Sequence, residues 1–430
     1  MTEKSYFMRL RQNPSEFRNS MNNIRKNEIV AIVTMIFYLS GCGQPSTPQL
    51  DRDILDKYLK QTNSASEEVA NAAVIRILKE DSVKISSIDR IQLAAFFDKI
   101  NDINQALKQL EIVGDDDKSA ALARLNEGRI HFFRTRFAKK AETSLKKSAQ
   151  LDPTSPAPLT LLASIYDIQN RLKERNDCYI KIDELSAMTR DQLIHWTCDR
   201  RPDASLREIA VLLDAFVKAD PTDTFSLLAL VDDYRNRGEF DKAKKSIKII
   251  LKINLPDSDL IKAQLSLAEI EWDCGNLLES EKQINQIHLG HKNDSLESFR
   301  YYRLTSLIQA EAKNYKLAER NLILAISYKP LDREVNQLMV LVQRLQKKIE
   351  SVLPYELRLS QIDRLEDLSQ KSIATLHRDD PTWLINIAEI ANIIGRHDIA
   401  RAWFRQVLVK DPLNPEIQKR IFQLDQFLKL

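Results

Sequence analysis

Glycine is scarce in this chain, and its scarcity limits the folds that the sequence can adopt. Only 8 of the 430 residues are glycine, and downstream of Gly43 no two of them lie closer than 14 residues apart. Phosphate-binding loops and nucleophile elbows need clustered glycines, because backbone N–H groups must approach the ligand closely. Long stretches rich in Leu, Ala, Ile, Lys, Glu and Gln favour helix instead. The sequence therefore predicts an all-α protein without a nucleotide-binding loop.

A spaced pattern of small, large apolar and proline residues recurs along the chain. Its clearest copy contains Ala388, Gly395, Ala400, Phe404 and Pro412. Three further copies contain, in turn, Phe132, Ala141, Leu145 and Pro153; Tyr234, Gly238, Phe240, Ala243 and Ile247; and Tyr315, Ala318, Leu322, Ala325 and Pro330. A small residue lets two antiparallel helices approach, and its i+4 neighbour fills the seam between them. The proline ends the second helix, because it lacks an N–H group.

This pattern resembles the tetratricopeptide repeat (TPR), a helix–turn–helix unit of about 34 residues. The resemblance implies a TPR-like α-solenoid, a right-handed superhelix of helix hairpins. Such a frame predicts units that start near residues 87, 122, 156, 190, 224, 261, 299 and 381. Two units are degenerate, since Arg175 and Ile209 stand where Ala is expected, and the register is lost between Leu331 and His377. An irregular helical bundle is the alternative interpretation.

The predicted organisation follows from this frame. Two helices separated near Pro354 form the divergent segment, and Ile417, Ile421, Leu424 and Leu428 form one apolar stripe of a final helix. The predicted segments are a signal peptide over 1–41, a lipidated cysteine and tether over 42–50, TPR-like or capping helices over 51–119, TPR-like repeats over 120–332, a divergent helical pair over 333–380, a TPR repeat over 381–413 and a C-terminal capping helix over 414–430.

The segment before the repeats has the layout of a secretory signal. Arg25-Lys26 precedes an apolar run of 11 residues, Ile29 to Leu39, and small residues lead into Cys42. The run is shorter than the roughly 20 residues of a spanning helix. Leu39-Ser40-Gly41-Cys42 resembles the bacterial lipobox, which implies cleavage between Gly41 and Cys42 and lipidation of Cys42. We interpret residues 1–20 as an upstream extension or a misassigned start; a short buried helix ending in Cys42 is the alternative for the apolar run.

Charge and residue spacing exclude several classes of function. Without residues 1–41, the chain has 58 basic and 58 acidic residues, so it lacks the electrostatic footprint of a nucleic-acid-binding protein. His288 and His291 have no third ligand at a zinc spacing. His195 and Cys198 lie near each other without a distinguishable orienting partner for a thiol nucleophile. We therefore predict that the chain is not an enzyme and has no cofactor, metal or small-molecule substrate.

The TPR resemblance also implies a concave groove lined by the first helix of each hairpin. The family's groove positions select these candidates in this chain: Asp232, Arg235, Glu269, Trp272, Arg300, Arg303, Glu389 and Asn392. Ordinary solvated helix surface is the alternative for each of them. For Trp272, a second alternative is packing inward between units.

The remaining cysteines are Cys178, Cys198 and Cys274. Three separate buried thiols are the favoured interpretation. If one disulfide forms, Cys178 and Cys198 are the expected pair, since the frame places them in adjacent helices.

Two functions remain open at this level. The first is a lipid-anchored scaffold of the bacterial cell envelope that binds a protein or peptide in its groove, for example in exopolysaccharide export or envelope assembly. The second is a non-catalytic accessory subunit of a multi-chain envelope enzyme system. The resemblance implies a periplasm-facing location, at the outer rather than the inner membrane in a Gram-negative cell.

Overall fold

The computed structural model describes residues 85–185, 188–198, 203–252, 255–289, 295–372 and 380–428. The predicted signal peptide, Cys42, the tether and the helices expected over 51–84 lie outside these residues. The chain divides into two compact units between Pro158 and Leu159. Within the described residues all regular structure is helical, with nineteen α-helices, so the prediction of an all-α, TPR-like α-solenoid is confirmed.

The described part of the first unit contains two helix pairs. Its helices are α1 Ser87–Lys99, α2 Ile103–Glu111, α3 Ala120–Ile130 and α4 Ala138–Leu151. Consecutive helices pack against each other, and α3 continues into a π-helical turn at His131–Thr135. A Cβ atom on Gly128 would lie 2.6 Å from Leu145 Cγ, so only glycine lets α3 approach α4 this closely. Asp117 accepts a hydrogen bond from the Ser119 N–H just before α3 begins, as expected for a helix-starting loop.

The second unit continues the series of helices. α5 Ala157–Ile168 crosses the division between the units, and the helices that follow are α6 Leu172–Leu185, α7 Arg190–Thr197, α8 Asp203–Ala219, α9 Thr224–Asn236, α10 Phe240–Ile250, α11 Asp257–Asp273, α12 Leu277–Asn285, α13 Ser295–Glu311, α14 Tyr315–Tyr328, α15 Arg333–Leu345, α16 Leu353–Lys371, α17 Pro381–Ile393, α18 His397–Lys410 and α19 Pro415–Leu428. From α9 to α19, each helix packs against the next.

Eight of the described turns inside helix pairs contain one residue of positive φ. In seven of them the next N–H bonds to the carbonyl five residues back, as in Glu239 N–H to Tyr234 C=O at 2.8 Å. Glycine supplies the left-handed residue at Gly238, Gly275 and Gly395. Other residue types supply it in the remaining pairs, namely Asn101, Arg136, Asn170, Lys313 and Lys347. The left-handed turn is thus a better marker of the repeat than glycine is.

The seams between paired helices contain the small residues that the sequence pattern predicts. Ala243, Ala318 and Ala400 are fully buried. Ser280 occupies the same position in α12 and donates from Oγ to the carbonyl of Ala268 across the pair, at 2.8 Å. Small side chains here allow close helix contact, so these positions bind the two helices of each pair together.

Two predicted irregularities have clear structural explanations. Arg175 replaces the expected Ala in α6, yet its guanidinium is buried and pairs with Asp167 across the α5–α6 turn at 3.0 Å. In the segment between Leu331 and His377, the described residues form α15 and α16, with Pro354 in the first turn of α16. α15 packs against both α13 and α14, so this segment continues the stack.

Helix α7 departs from the expected order of stacking. It packs against α16 and α18. The turn between α5 and α6 contacts the start of α9, where Gln169 donates to Asp223 and Ser226 at 3.1 and 3.0 Å. We call the contact of α6 and α7 with α18 the closing contact. It consists of ion pairs from Asp183 to Arg401 and Arg405, and of hydrogen bonds from Trp403 Nε1 to Thr197 Oγ1 and from Gln406 to the Met188 carbonyl.

The final helix, α19, covers the end of the stack through Ile417 and Leu424, which are buried. Ile421 is half-buried and Leu428 is exposed, so only part of the predicted apolar stripe is covered.

Candidate protein-binding face

Four first helices of the second unit, α9, α11, α13 and α15, carry a continuous strip of charged residues. We call this the charged strip, and its members are Asp232, Arg235, Glu269, Asp273, Arg300, Arg303 and Glu334. First helices of successive pairs lie side by side here, since α9 packs on α11, α11 on α13 and α13 on α15. Residues about one repeat apart therefore meet across each interface, and five of the eight predicted groove candidates belong to this strip.

Glu269 is the centre of the charged strip. Its carboxylate accepts from Arg235 Nη1 at 2.5 Å and from Arg300 Nη2 at 2.7 Å, and Arg303 Nη1 lies 4.0 Å away. Only 2% of its surface is exposed. Burial by itself raises the pKa of this carboxyl, but Arg300 and Arg235 outweigh that effect and lower the pKa to about 2. Glu269 is therefore ionised at neutral pH and joins three helices.

The strip extends outward from Glu269 through the same arginines. Arg235 Nε donates to Asp273 on α11, and Arg303 Nη2 donates to Glu334 on α15 at 2.5 Å. Arg300 also donates to Ser266 Oγ at 2.9 Å and lies 4.0 Å from Asp232. Although burial lowers the pKa of Arg300, Glu269 and Asp232 raise it above its ordinary value. The arginine side chains keep a partly exposed edge, so the strip faces solvent along one side.

Trp272 does not lie at an exposed groove position. It is 4% exposed and belongs to the buried cluster that also contains Ile284 and Phe299. The prediction of an exposed groove tryptophan is therefore wrong, and the inward alternative is correct. The physical reason is that Trp272 lies on the side of α11 that packs on α12 and α13, the helices that carry Ile284 and Phe299.

Glu389 and Asn392 lie on α17 and do not join the charged strip. Glu389 accepts from Arg420 of α19, and Asn392 Oδ1 lies 2.7 Å from His397 Nδ1 at the turn into α18. Asn392 is exposed, and Glu389 is half-buried with a partly exposed side chain. Their contacts stay inside the α17–α19 group of helices.

Sequence reasoning missed Asp273 and Glu334. Asp273 follows Glu269 by four residues, so the helical i+4 rule could have placed both carboxylates on one face. Glu334 belongs to the segment where the repeat register was lost, and no spacing signal remained to identify it.

The described residues contain no group of His, Cys, Asp and Glu that could hold a metal ion. Cys178 and Cys198 are buried thiols, and Cys274 is a half-buried thiol whose pKa is raised by burial. The alternative of a Cys178–Cys198 disulfide is therefore not seen in this structure, and Cys274 is less buried than the favoured interpretation of three buried thiols requires. Among the described helices none is long and apolar enough to cross a membrane.

Comparison with known proteins gives similarity of fold only. No family model matches the chain, and no curated protein matches it. A tetratricopeptide repeat protein from Parabacteroides merdae is similar at 13% identity and a TM-score of 0.31, covering 60% of this chain and 98% of its own. Pseudomonas aeruginosa pilF is similar at 14% identity and a TM-score of 0.31, and the match covers 55% of this chain and 97% of pilF. The TPR domain of P58(IPK) is similar at 15% identity and a TM-score of 0.27, and the match covers 80% of this chain and 98% of that domain.

Proposed function

We propose that this protein is a membrane-anchored scaffold of the bacterial cell envelope that binds a segment of a partner protein along the first helices of its hairpins. The observation that carries the proposal is the charged strip, which crosses four consecutive first helices and keeps a solvent-facing edge. A stack of hairpins offers an extended surface of this kind, and such surfaces are what solenoid proteins use for binding. The lipobox-like Leu39–Cys42 supports the anchor.

The chemistry of the strip indicates how a partner would be held. Arg303 and Glu334 form its most exposed pair, because Glu334 is largely accessible to solvent. A carboxylate of the partner could replace Glu334 beside Arg303, and a cation could join Glu334. Exchange of one partly exposed ion pair for another costs little, whereas the buried Glu269 pairs would stay in place.

Site-specific photo-crosslinking in cells tests the proposal. A photoreactive amino acid replaces Glu334 or Asn392, which are exposed positions on the first helices α15 and α17. The matched controls carry it at Lys248 or Ile323, which are exposed on the second helices α10 and α14. We expect one partner band from Glu334 and none from Lys248 or Ile323. Equal labelling from both sets of positions would contradict binding along the first helices.

A further inference from the structure

The closing contact joins parts of the chain that lie about two hundred residues apart. Asp183 of α6 accepts from Arg401 Nε and Nη2 of α18 at 3.0 Å, and Arg405 Nη1 lies 3.1 Å from the same carboxylate. Arg401 also pairs with Asp425 of α19 at 3.1 Å. Four charged groups from three helices therefore meet around the buried pair of Asp183 and Arg401.

The aromatic part of the contact lies beside these charges. Trp403 of α18 is fully buried, and its Nε1 donates to Thr197 Oγ1 at the end of α7, at 2.9 Å. The Arg190 guanidinium stands over the Trp403 ring at 5.5 Å. Gln406 donates to the carbonyl of Met188, just before α7 begins. Helix α7, which has eight residues, contacts α18 at both of its ends and also packs on α16.

Buried polar atoms without described partners lie on both α6 and α7. Asp183 is 1% exposed, and its Oδ1 has no hydrogen-bond partner in the described part of the chain. Trp196 Nε1 on α7 is likewise buried without an acceptor there. Burial raises the pKa of the Asp183 carboxyl even though Arg405 and Arg401 lower it, so desolvation outweighs the ion pairs. Unpartnered buried polar atoms disfavour the closed arrangement.

The three C-terminal helices, by contrast, are held together by apolar packing of their own. α17 packs on α18 and α18 on α19, and Ile387, Ala400 and Phe404 are buried. The Arg420 ion pairs with Glu389 and Glu416 also stay inside this group. Helices α17–α19 therefore have an internal core that does not depend on α6 or α7.

We propose that the closing contact is a latch, and that α17–α19 separate from α6 and α7 as one folded body. The closed form combines the ion pairs of Asp183 and two side-chain hydrogen bonds with burial of the Trp403 ring, and it leaves Asp183 Oδ1 without a hydrogen-bond partner in the described residues. Opening returns water to the Asp183 carboxylate, leaves each helix pair intact and leaves α7 packed on α16. The chain then alternates between a closed form, in which α18 contacts α6 and α7, and an open form without this contact.

Native-state hydrogen exchange on the full chain tests the latch without any substitution. Exchange is followed by mass spectrometry while urea is raised below the unfolding transition. We expect peptides from α7 to exchange through an opening of lower free energy than peptides from α11–α14 or α17–α18. The latch is overturned if α7 follows the same urea dependence as α11–α14, because α7 then opens only with the whole unit.

A pair of double variants gives a second, independent test. Arg405→Ala with Gln406→Ala removes two side chains whose described contacts lie across the latch. Its matched control, Gln418→Ala with Arg420→Ala, removes contacts made within α17–α19. We expect amide exchange in α7 to accelerate by about 10-fold or more in the first variant and to stay unchanged in the control. Unchanged exchange in α7, or equal acceleration in α17–α18, would refute a separable latch.

Discussion

Replacement of Glu269 by Gln is the sharpest test of the charged strip. The change keeps the shape of the side chain but removes the anion that Arg235, Arg300 and Arg303 surround. Breaking a buried ion pair by removing one partner costs about 3–5 kcal/mol. The arginines keep partial solvent contact and their other partners, Asp273 and Glu334. We therefore expect the free energy of unfolding to fall by about 3 kcal/mol, the lower end of that range.

The lowered pKa of Glu269, caused by the same arginines, agrees with a loss of this size. A value of about 2 instead of 4.5 corresponds to about 3 kcal/mol at about 1.4 kcal/mol per unit. Because the folded-state pKa is lowered, the stabilisation is fully present above about pH 4.5 and is lost as the pH falls toward 2. The difference in stability between the wild type and Glu269→Gln should therefore disappear over that range.

Urea unfolding followed by far-UV circular dichroism measures the effect at pH 7 and at steps down to pH 2. Glu389→Gln is the matched control, because the Glu389 side chain is 41% exposed and pairs with Arg420. An exposed pair contributes about 1 kcal/mol or less, so the control should unfold close to the wild type. A Glu269→Gln protein no less stable than Glu389→Gln at pH 7 would refute the structural role of the strip.

Three further predictions concern other parts of the chain. Cys42→Ser should abolish incorporation of labelled fatty acid and leave unprocessed precursor, and unchanged labelling would contradict a lipid anchor at this position. Trp272→Ala should lower the free energy of unfolding by about 3–5 kcal/mol, because the ring is buried. An unchanged melting temperature would contradict the buried position of Trp272. Ala400→Arg forces a long charged side chain into the α17–α18 seam and should destabilise that pair by about 2 kcal/mol or more, measured by hydrogen exchange in α17 and α18.

The repeat itself was predictable because close helix packing leaves a local signature. Small residues such as Ala243 and Ala400 recur at the seams, and Asp-Pro pairs such as Asp411-Pro412 follow the ends of second helices. The turns at Lys313 and Lys347 were harder to identify. They adopt the left-handed conformation without glycine, and the hydrogen bonds that fix it come from the backbone, which has no residue signature.

The pairing within the charged strip and the closing contact could not be predicted in the same way. Most of the strip residues were identified one by one, but their partners depend on how far each helix is rotated against its neighbour. The bond from Trp403 to Thr197 joins residues 206 positions apart, and α7 leaves the stack to make it. Spacing within the sequence describes neighbouring repeats, so it contains no information about such a contact.

The charged strip also fixes the order of the hairpins. At the interface of α9 with α11, the arginine belongs to the earlier helix and the carboxylates to the later one. At the interface of α11 with α13, the carboxylate belongs to the earlier helix and the arginine to the later one. Between α13 and α15 the arginine is again on the earlier helix. Exchanging the α11–α12 hairpin with the α13–α14 hairpin would set Arg235 against Arg300 and Glu269 against Glu334. These modules therefore cannot be shuffled, duplicated or deleted singly without like charges meeting, unlike consensus repeats, whose interfaces are interchangeable.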